Sequence, residues 1–162
     1  MLKICLSSDN HGHMDGIHKI LSDNPACDYY FHCGDSMVEP KLLSPFISVE
    51  GNNDWYYEYP KDRLLNIGGH TIYIFHGTGY TFSQNLMLEK AKSVKADIVF
   101  FGHTHIFTDE IYDNIHFINP GSTYYNRDLS GPCYARVYLL DDGRVHVERV
   151  DLSEKGFDGS LL

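Results

Sequence analysis

His103 and His105 close the stretch Asp97-Ile98-Val99-Phe100-Phe101-Gly102-His103-Thr104-His105. In an extended chain, residues two apart project to the same side, and imidazole is a common metal ligand. An HxH pair also occurs on plain exposed strands, so the weight of the reading falls on what accompanies it. Four other places end an apolar run in a turn bearing Asp, His or Asn: Asp9 and His11, Asp35, Asn52, and His76. Two carboxylates, one amide and four imidazoles suit Mn²⁺, Ni²⁺, Fe²⁺ or Zn²⁺ and are too rich in nitrogen for Mg²⁺ or Ca²⁺. A single ion would leave several of these groups unused. Two ions sharing one carboxylate use all seven, and Asp35 is the natural bridge.

The elements that must position these groups follow from hydrophobic pattern. Ile98 to Phe101 carries two β-branched residues between Asp97 and Gly102, which reads as a buried central strand ending in a sharp turn. Strands are expected at Leu2–Leu6, Cys27–Phe31 and Phe46–Val49, each delivering its polar turn to the carboxyl end, where open sheets assemble sites. Leu64–Ile67 and Thr71–Phe75 flank Gly68-Gly69, a hairpin signal. A helix is expected over Asp15–Ser22, with Ile17, Ile20 and Leu21 on its core face. A second runs from an N-cap at Ser83 to about Lys95, with Phe82 placed to pack near Leu86. Beyond the central strand the pattern becomes strands alone: Phe107–Tyr112 with Ile115–Ile118, and Tyr134–Leu140 with Arg144–Val150. The last dozen residues, mostly polar, are expected to ride on the surface or fray.

The chain has 162 residues, 43% hydrophobic and 22% charged, the balance of one compact domain over 1–162. A formal net charge of -9 opposes binding to long nucleic acid, because no excess of Lys and Arg can displace counterions. Neither a signal peptide nor a membrane span is legible. The four cysteines lack CxxC spacing and read as free thiols in a cytoplasmic protein. Ten histidines against 13 Lys plus Arg is a high share that asks for an explanation.

Taken in order, Asp9-Asn10-His11, Gly34-Asp35-Ser36-Met37, Gly51-Asn52-Asn53-Asp54, His76 and Gly102-His103-Thr104-His105 resemble the calcineurin-like metallophosphoesterase superfamily, with its DxH, GDxx, GN[HX]D, H and GHxH pattern. The short length, His76-Gly77 and Asn119-Pro120-Gly121-Ser122 look like its small prokaryotic phosphodiesterase branch. The resemblance implies an α/β fold, a four-layer α/β/β/α sandwich of two mixed sheets flanked by helices. It implies two divalent ions, with Mn²⁺ the first expectation. Asp9, His11, Asp35 and His105 would hold the first and Asp35, Asn52, His76 and His103 the second. A bridging hydroxide would attack a small phosphodiester substrate. Two dications, two carboxylates and a hydroxide leave one positive charge, which a diester neutralises.

One position departs from the pattern. Many members carry histidine where this chain has Asn53, and a neutral amide cannot protonate a leaving alcohol. Asn53 and, as an alternative proton donor, His13 are therefore the candidate catalytic residues beside the metal ligands. Asp54 is expected to keep a supporting hydrogen bond. His32, beside the Asp35 turn, could support that turn but is read as an ordinary buried or surface histidine; Trp55, Tyr56, Tyr57 and Tyr59 are read as loop packing in preference to a shelter for a substrate base or a subunit contact, and Arg127 as an exposed arginine in preference to a phosphate clamp. The alternative function is a non-catalytic scaffold, since the superfamily includes a protein-trafficking subunit that keeps the fold with part of the site lost. A metallo-β-lactamase-type hydrolase needs HxHxDH and is rejected by Phe107. A homo-oligomer is compatible with all of this.

Overall fold

A computed structural model describes residues 1–152. Ten strands form two five-stranded sheets. In the first, β1 (Leu2–Ser7) sits at the centre, parallel to β2 (Tyr29–His32), which is parallel to β3 (Ile47–Ser48). On its other side β1 pairs antiparallel with β9 (Cys133–Leu139), itself antiparallel to β10 (Val145–Asp151). In the second sheet β6 (Ile98–Phe100) is central, parallel to β5 (His70–Phe75) and β8 (Ile115–Pro120); β4 (Asp62–Ile67) and β7 (Phe107–Tyr112) are antiparallel edges. Both sheets are mixed, and the expected central strand is central.

Three apolar clusters account for the layering. Ile4, Leu6 and Val137 from the first sheet meet Ile72, Ile74, Ile98 and Phe100 from the second, so the sheets pack face to face. On the outer side of the first, Cys5 and Tyr134 cover Ile17 and Ile20 of α1 (Asp15–Asp23) and Leu43 of α2 (Pro40–Leu43). On the outer side of the second, Tyr73, Val99 and Phe117 receive Met87 and Ala91 of α3 (Gln84–Ser93). Alternate residues of β1 and of β6 thus face different clusters, as the period of two requires. Buried on both faces, these strands read as continuous apolar runs.

Turn chemistry agrees with the sequence at Gly68-Gly69 (φ 58° and 82°) and at Asp113-Asn114 (φ 48° and 61°), the positive values of primed hairpin turns. Ser83 caps α3, accepting from the Leu86 amide at 3.3 Å. Three expectations fail. Phe82 is 79% exposed and staples nothing. Cys27 stands outside β2, which begins at Tyr29. Leu152 is buried against α1 rather than frayed; the rest of that expectation, from residue 153 on, lies outside the described residues. Among the described residues no helix is long and apolar enough to cross a membrane.

Candidate metal centre

β1, β2, β3, β5 and β6 each end in a loop at one edge of the sandwich, where the loop amides interlock. The Asp9 amide donates to Gly34 O at 3.0 Å, His11 N to Asp35 O at 3.0 Å, and Gly102 N to His76 O at 3.0 Å. Five of the seven candidate ligands adopt positive φ: Asp9 (56°), His11 (46°), Asp35 (58°), His103 (71°) and His105 (58°). Asp and His tolerate this region better than most side chains. Such strained backbone persists only where surrounding contacts over-determine it, which they do here.

The glycines show how closely the loops approach. A Cβ on Gly51 would stand 2.1 Å from Asp35 Oδ1, and one on Gly102 would stand 2.3 Å from Ser8 Oγ and 2.7 Å from Asp9 Oδ2. The glycine that ends the central strand is therefore there to let Asp9 pass.

The ligand atoms of Asp9, His11 and His105 all lie within 4.8 Å of one another, as do those of Asp9, Asp35 and His76, so each trio is able to hold a metal ion. His105 Nε2 is 3.3 Å from Asp9 Oδ1, and Asp35 Oδ2 is 3.5 Å from His11 Nε2 and 3.4 Å from His76 Nε2. Asp35 Oδ2 thus reaches a histidine of each trio, while Asp9 belongs to both. Asp9 Oδ1 also reaches to 3.8 Å from His76 Nε2, so both carboxylates face the centre. Asn52 and His103 lie at its open side: His103 Nδ1 is 3.2 Å from Asn52 Oδ1, and its ring is 5.2 Å from that of His76.

The donor set fits divalent metal. Asp9 Oδ1, His11 Nε2 and His76 Nε2 are buried atoms with no hydrogen-bond partner among the described residues, an arrangement too costly to keep unless something satisfies them. On His76 and His105 the other ring nitrogen is taken: His76 Nδ1 donates to Cys33 O at 2.7 Å and His105 Nδ1 to Tyr125 O at 2.8 Å. Those bonds fix the tautomer that leaves Nε2 as a lone-pair donor facing inward.

The electrostatics agree. Burial disfavours the Asp9 charge, yet His105, His11 and His76 outweigh it and hold the carboxyl far below the usual carboxylate range. Asp35 is likewise lowered, burial being overcome chiefly by His76 and Asn53. Asp9 raises His11, and Asp35 and Asp9 raise His76 against its burial. The pocket thus attracts positive charge, which a proton or a metal ion can supply.

Asn53 is engaged with Asp35: its backbone and side-chain amides donate to Asp35 Oδ1 and Oδ2 at 2.8 and 2.9 Å. His13 is exposed and stacks on Tyr124 with centroids 3.7 Å apart. Asp54 accepts from the amides of Asp35, Gly51 and Met37 at 2.7, 2.8 and 2.9 Å, stitching two of the loops together. Arg127 is exposed. Tyr59 is packed inside, but Trp55 and Tyr56 are 68% and 75% exposed, so loop packing accounts for only part of that aromatic run.

Three residues support the loops. His32, for which the sequence admits a supporting role but favours an ordinary one, is fully buried beneath them. Its Nε2–H donates to Asn10 Oδ1 at 2.9 Å, while Nδ1 accepts from the Gly34 amide at 3.1 Å. Asn10 in turn donates to Ser36 O at 3.1 Å, and Asn119 donates to Gly102 O and Thr104 Oγ1 at 3.0 and 2.9 Å. The available signal was position: Asn10 lies between two candidate ligands and His32 three residues before a third.

Burial lowers the His32 pKa to about 4 from its ordinary value of 6.5. Below pH 6.5 the unfolded chain takes a proton that the folded chain refuses, so stability falls as pH drops from 6.5 towards 4, by about 3 kcal/mol for this group. His32 is expected to be the last histidine to titrate in an NMR pH series. A midpoint near 6.5 would refute its buried, neutral role.

A family model described as the calcineurin-like phosphoesterase superfamily domain matches residues 2–142. A probable metallophosphoesterase of Bacillus subtilis, YsnB, is 32% identical over 146 residues, covering 87% of this chain and 86% of that protein. A protein of Methanocaldococcus jannaschii named phosphodiesterase MJ0936 is 28% identical, covering 74% and 83%. The structure of vacuolar protein sorting 29 from Cryptosporidium parvum superposes with a TM-score of 0.72 over 94% of this chain and 98% of that one. At 16% identity, that likeness concerns the fold alone. With its two mixed sheets and the ordered loop motifs that they present, the chain belongs to the calcineurin-like phosphoesterase superfamily.

Proposed function

We propose that the protein is a phosphodiesterase working through two divalent ions, with Mn²⁺ the preferred metal. Asp9, His11, Asp35 and His105 would hold one ion and Asp35, Asn52, His76 and His103 the other. The observation that carries this reading is Asp35 Oδ2, set 3.5 and 3.4 Å from the Nε2 atoms of His11 and His76, where one carboxylate could serve both ions. Ions bound there supply a water of lowered pKa and positive charge to receive the phosphoryl oxygens. The chain's own contribution is position. The Cys33 and Tyr125 carbonyls aim His76 and His105, and Asn53 fixes the shared carboxylate from two directions.

Asn53 donates protons to hydrogen bonds but has none to transfer, so a leaving group departs without acid help from that position. His13, on the rim, is the remaining candidate donor. Substrates with good leaving groups are therefore favoured, since proton transfer ordinarily supplies ~10²- to 10⁴-fold. A groove of about 450 Å³ runs from Asn52 and His76 past Phe75 and Tyr80 to Lys61 and Lys90. It gives the organic substituent of the diester a place to lie. The name of the Methanocaldococcus relative supports a diester, as does the single positive charge left after counting.

Chelating the protein and adding back Mn²⁺, Ni²⁺, Zn²⁺ or Mg²⁺ tests the reading, with a chromogenic diester and its monoester as substrates. Mn²⁺ is expected to restore turnover, faster on the diester. A folded protein that rebinds metal and turns over neither substrate would instead support a scaffold on the same fold.

A further inference from the structure

The Sγ atoms of Cys5 and Cys27 lie 2.8 Å apart, only roughly 0.8 Å beyond the length of a disulfide bond. Cys5, on β1, is fully buried beneath α1. Cys27, just before β2, is half-buried and lines a cavity of about 240 Å³ together with Lys3 and Arg136. Neither thiol is used by the metal centre. The other two cysteines are placed differently: Cys133 Sγ donates to Pro120 O at 3.2 Å, and Cys33 is buried in the inter-sheet core.

We propose that Cys5 and Cys27 form a site of reversible oxidation, closing to a disulfide when the protein meets a hydroperoxide. Cys27, reached through the cavity, attacks the peroxide oxygen as thiolate; an S–O bond forms, the O–O bond breaks, and the alkoxide leaves as alcohol on taking a proton. Cys5 then attacks the Cys27 sulfur. The S–S bond forms, the S–O bond breaks, and hydroxide takes the Cys5 proton to leave as water. Two thiols lose two electrons, and the hydroperoxide is reduced to an alcohol and water. Burial and the neighbouring sulfur push the Cys5 thiol up, which leaves Cys27 to react first. The bridge would enclose the segment that carries Asp9 and His11, and so tie down the loop presenting both.

The test treats the folded full chain with hydrogen peroxide and follows intact mass and chymotryptic peptides, since cleavage after Tyr29 to Phe31 separates Cys27 from Cys33. The expected product has lost two hydrogens. It carries one cross-link, between Cys5 and Cys27, reverts with dithiothreitol, and melts at a higher temperature than the reduced form. A Cys33→Ser/Cys133→Ser variant should behave identically, and Cys27→Ser should form no cross-link. Oxidation that stops as a sulfinic acid on Cys27, a cross-link through Cys33 or Cys133, or no mass change in the folded protein would each overturn the proposal.

Discussion

Replacing Asp35 with asparagine is expected to lower kcat on a diester by about 10³-fold or more and to weaken the binding of both metal ions, while leaving the fold intact. Asn is nearly the same size, and its side-chain oxygen can still accept from the Asn53 amide as Asp35 Oδ1 does at 2.8 Å. What it removes is the negative charge between His11 and His76, whose nitrogens lie 3.5 and 3.4 Å from Oδ2. A ligand belonging to one ion would cost only that ion. A shared ligand costs two, so calorimetric titration with Mn²⁺ should show both binding steps weakened. Activity within tenfold of the parent, or one step left untouched, would remove Asp35 from the bridging position.

Gly102→Ala is expected to be severely damaging to the site for the sake of one methyl group. The added Cβ would lie 2.3 Å from Ser8 Oγ and 2.7 Å from Asp9 Oδ2, and both residues are fully buried with no room to move. Ser8 Oγ donates to Asp9 Oδ2 at 2.5 Å, and the His103 amide donates to the same oxygen at 3.2 Å, so the clash displaces a ligand and the loop carrying two more. Overpacking of this kind costs about 1–3 kcal/mol, and disturbing the shell that orients ligands costs ~10- to 100-fold in metal affinity. Gly69→Ala is the control. Nothing lies within 4 Å of a Cβ there, although φ is +82°, so it should lower the melting temperature modestly and leave metal binding unchanged.

The residues that gather at the candidate site were more legible in the sequence than the scaffolding around them. Ligand motifs survive as short local patterns because each is a strand end followed by a turn, and both leave marks within a few residues. The central strand was visible because burial on both faces makes Ile98 to Phe100 uniformly apolar. The four-residue α2, Pro40–Leu43, is too short to show a helical period. The roles of Asn10 and Asn119 were invisible, and that of His32 could be weighed but not decided, for another reason: their partners are backbone groups or side chains brought near only by the closed fold. Phe82 shows the opposite error, a sound local expectation that the tertiary structure does not use: Phe82 is exposed and Leu86 only half-buried.

The central claim is that two cations share one carboxylate. Anomalous diffraction from crystals soaked in Mn²⁺ tests it most directly. Two peaks about 3.5–4 Å apart are expected, one against Asp9, His11 and His105, the other against Asn52, His76 and His103, with Asp35 between them. A single peak, or a pair that Asp35 does not touch, would contradict the account.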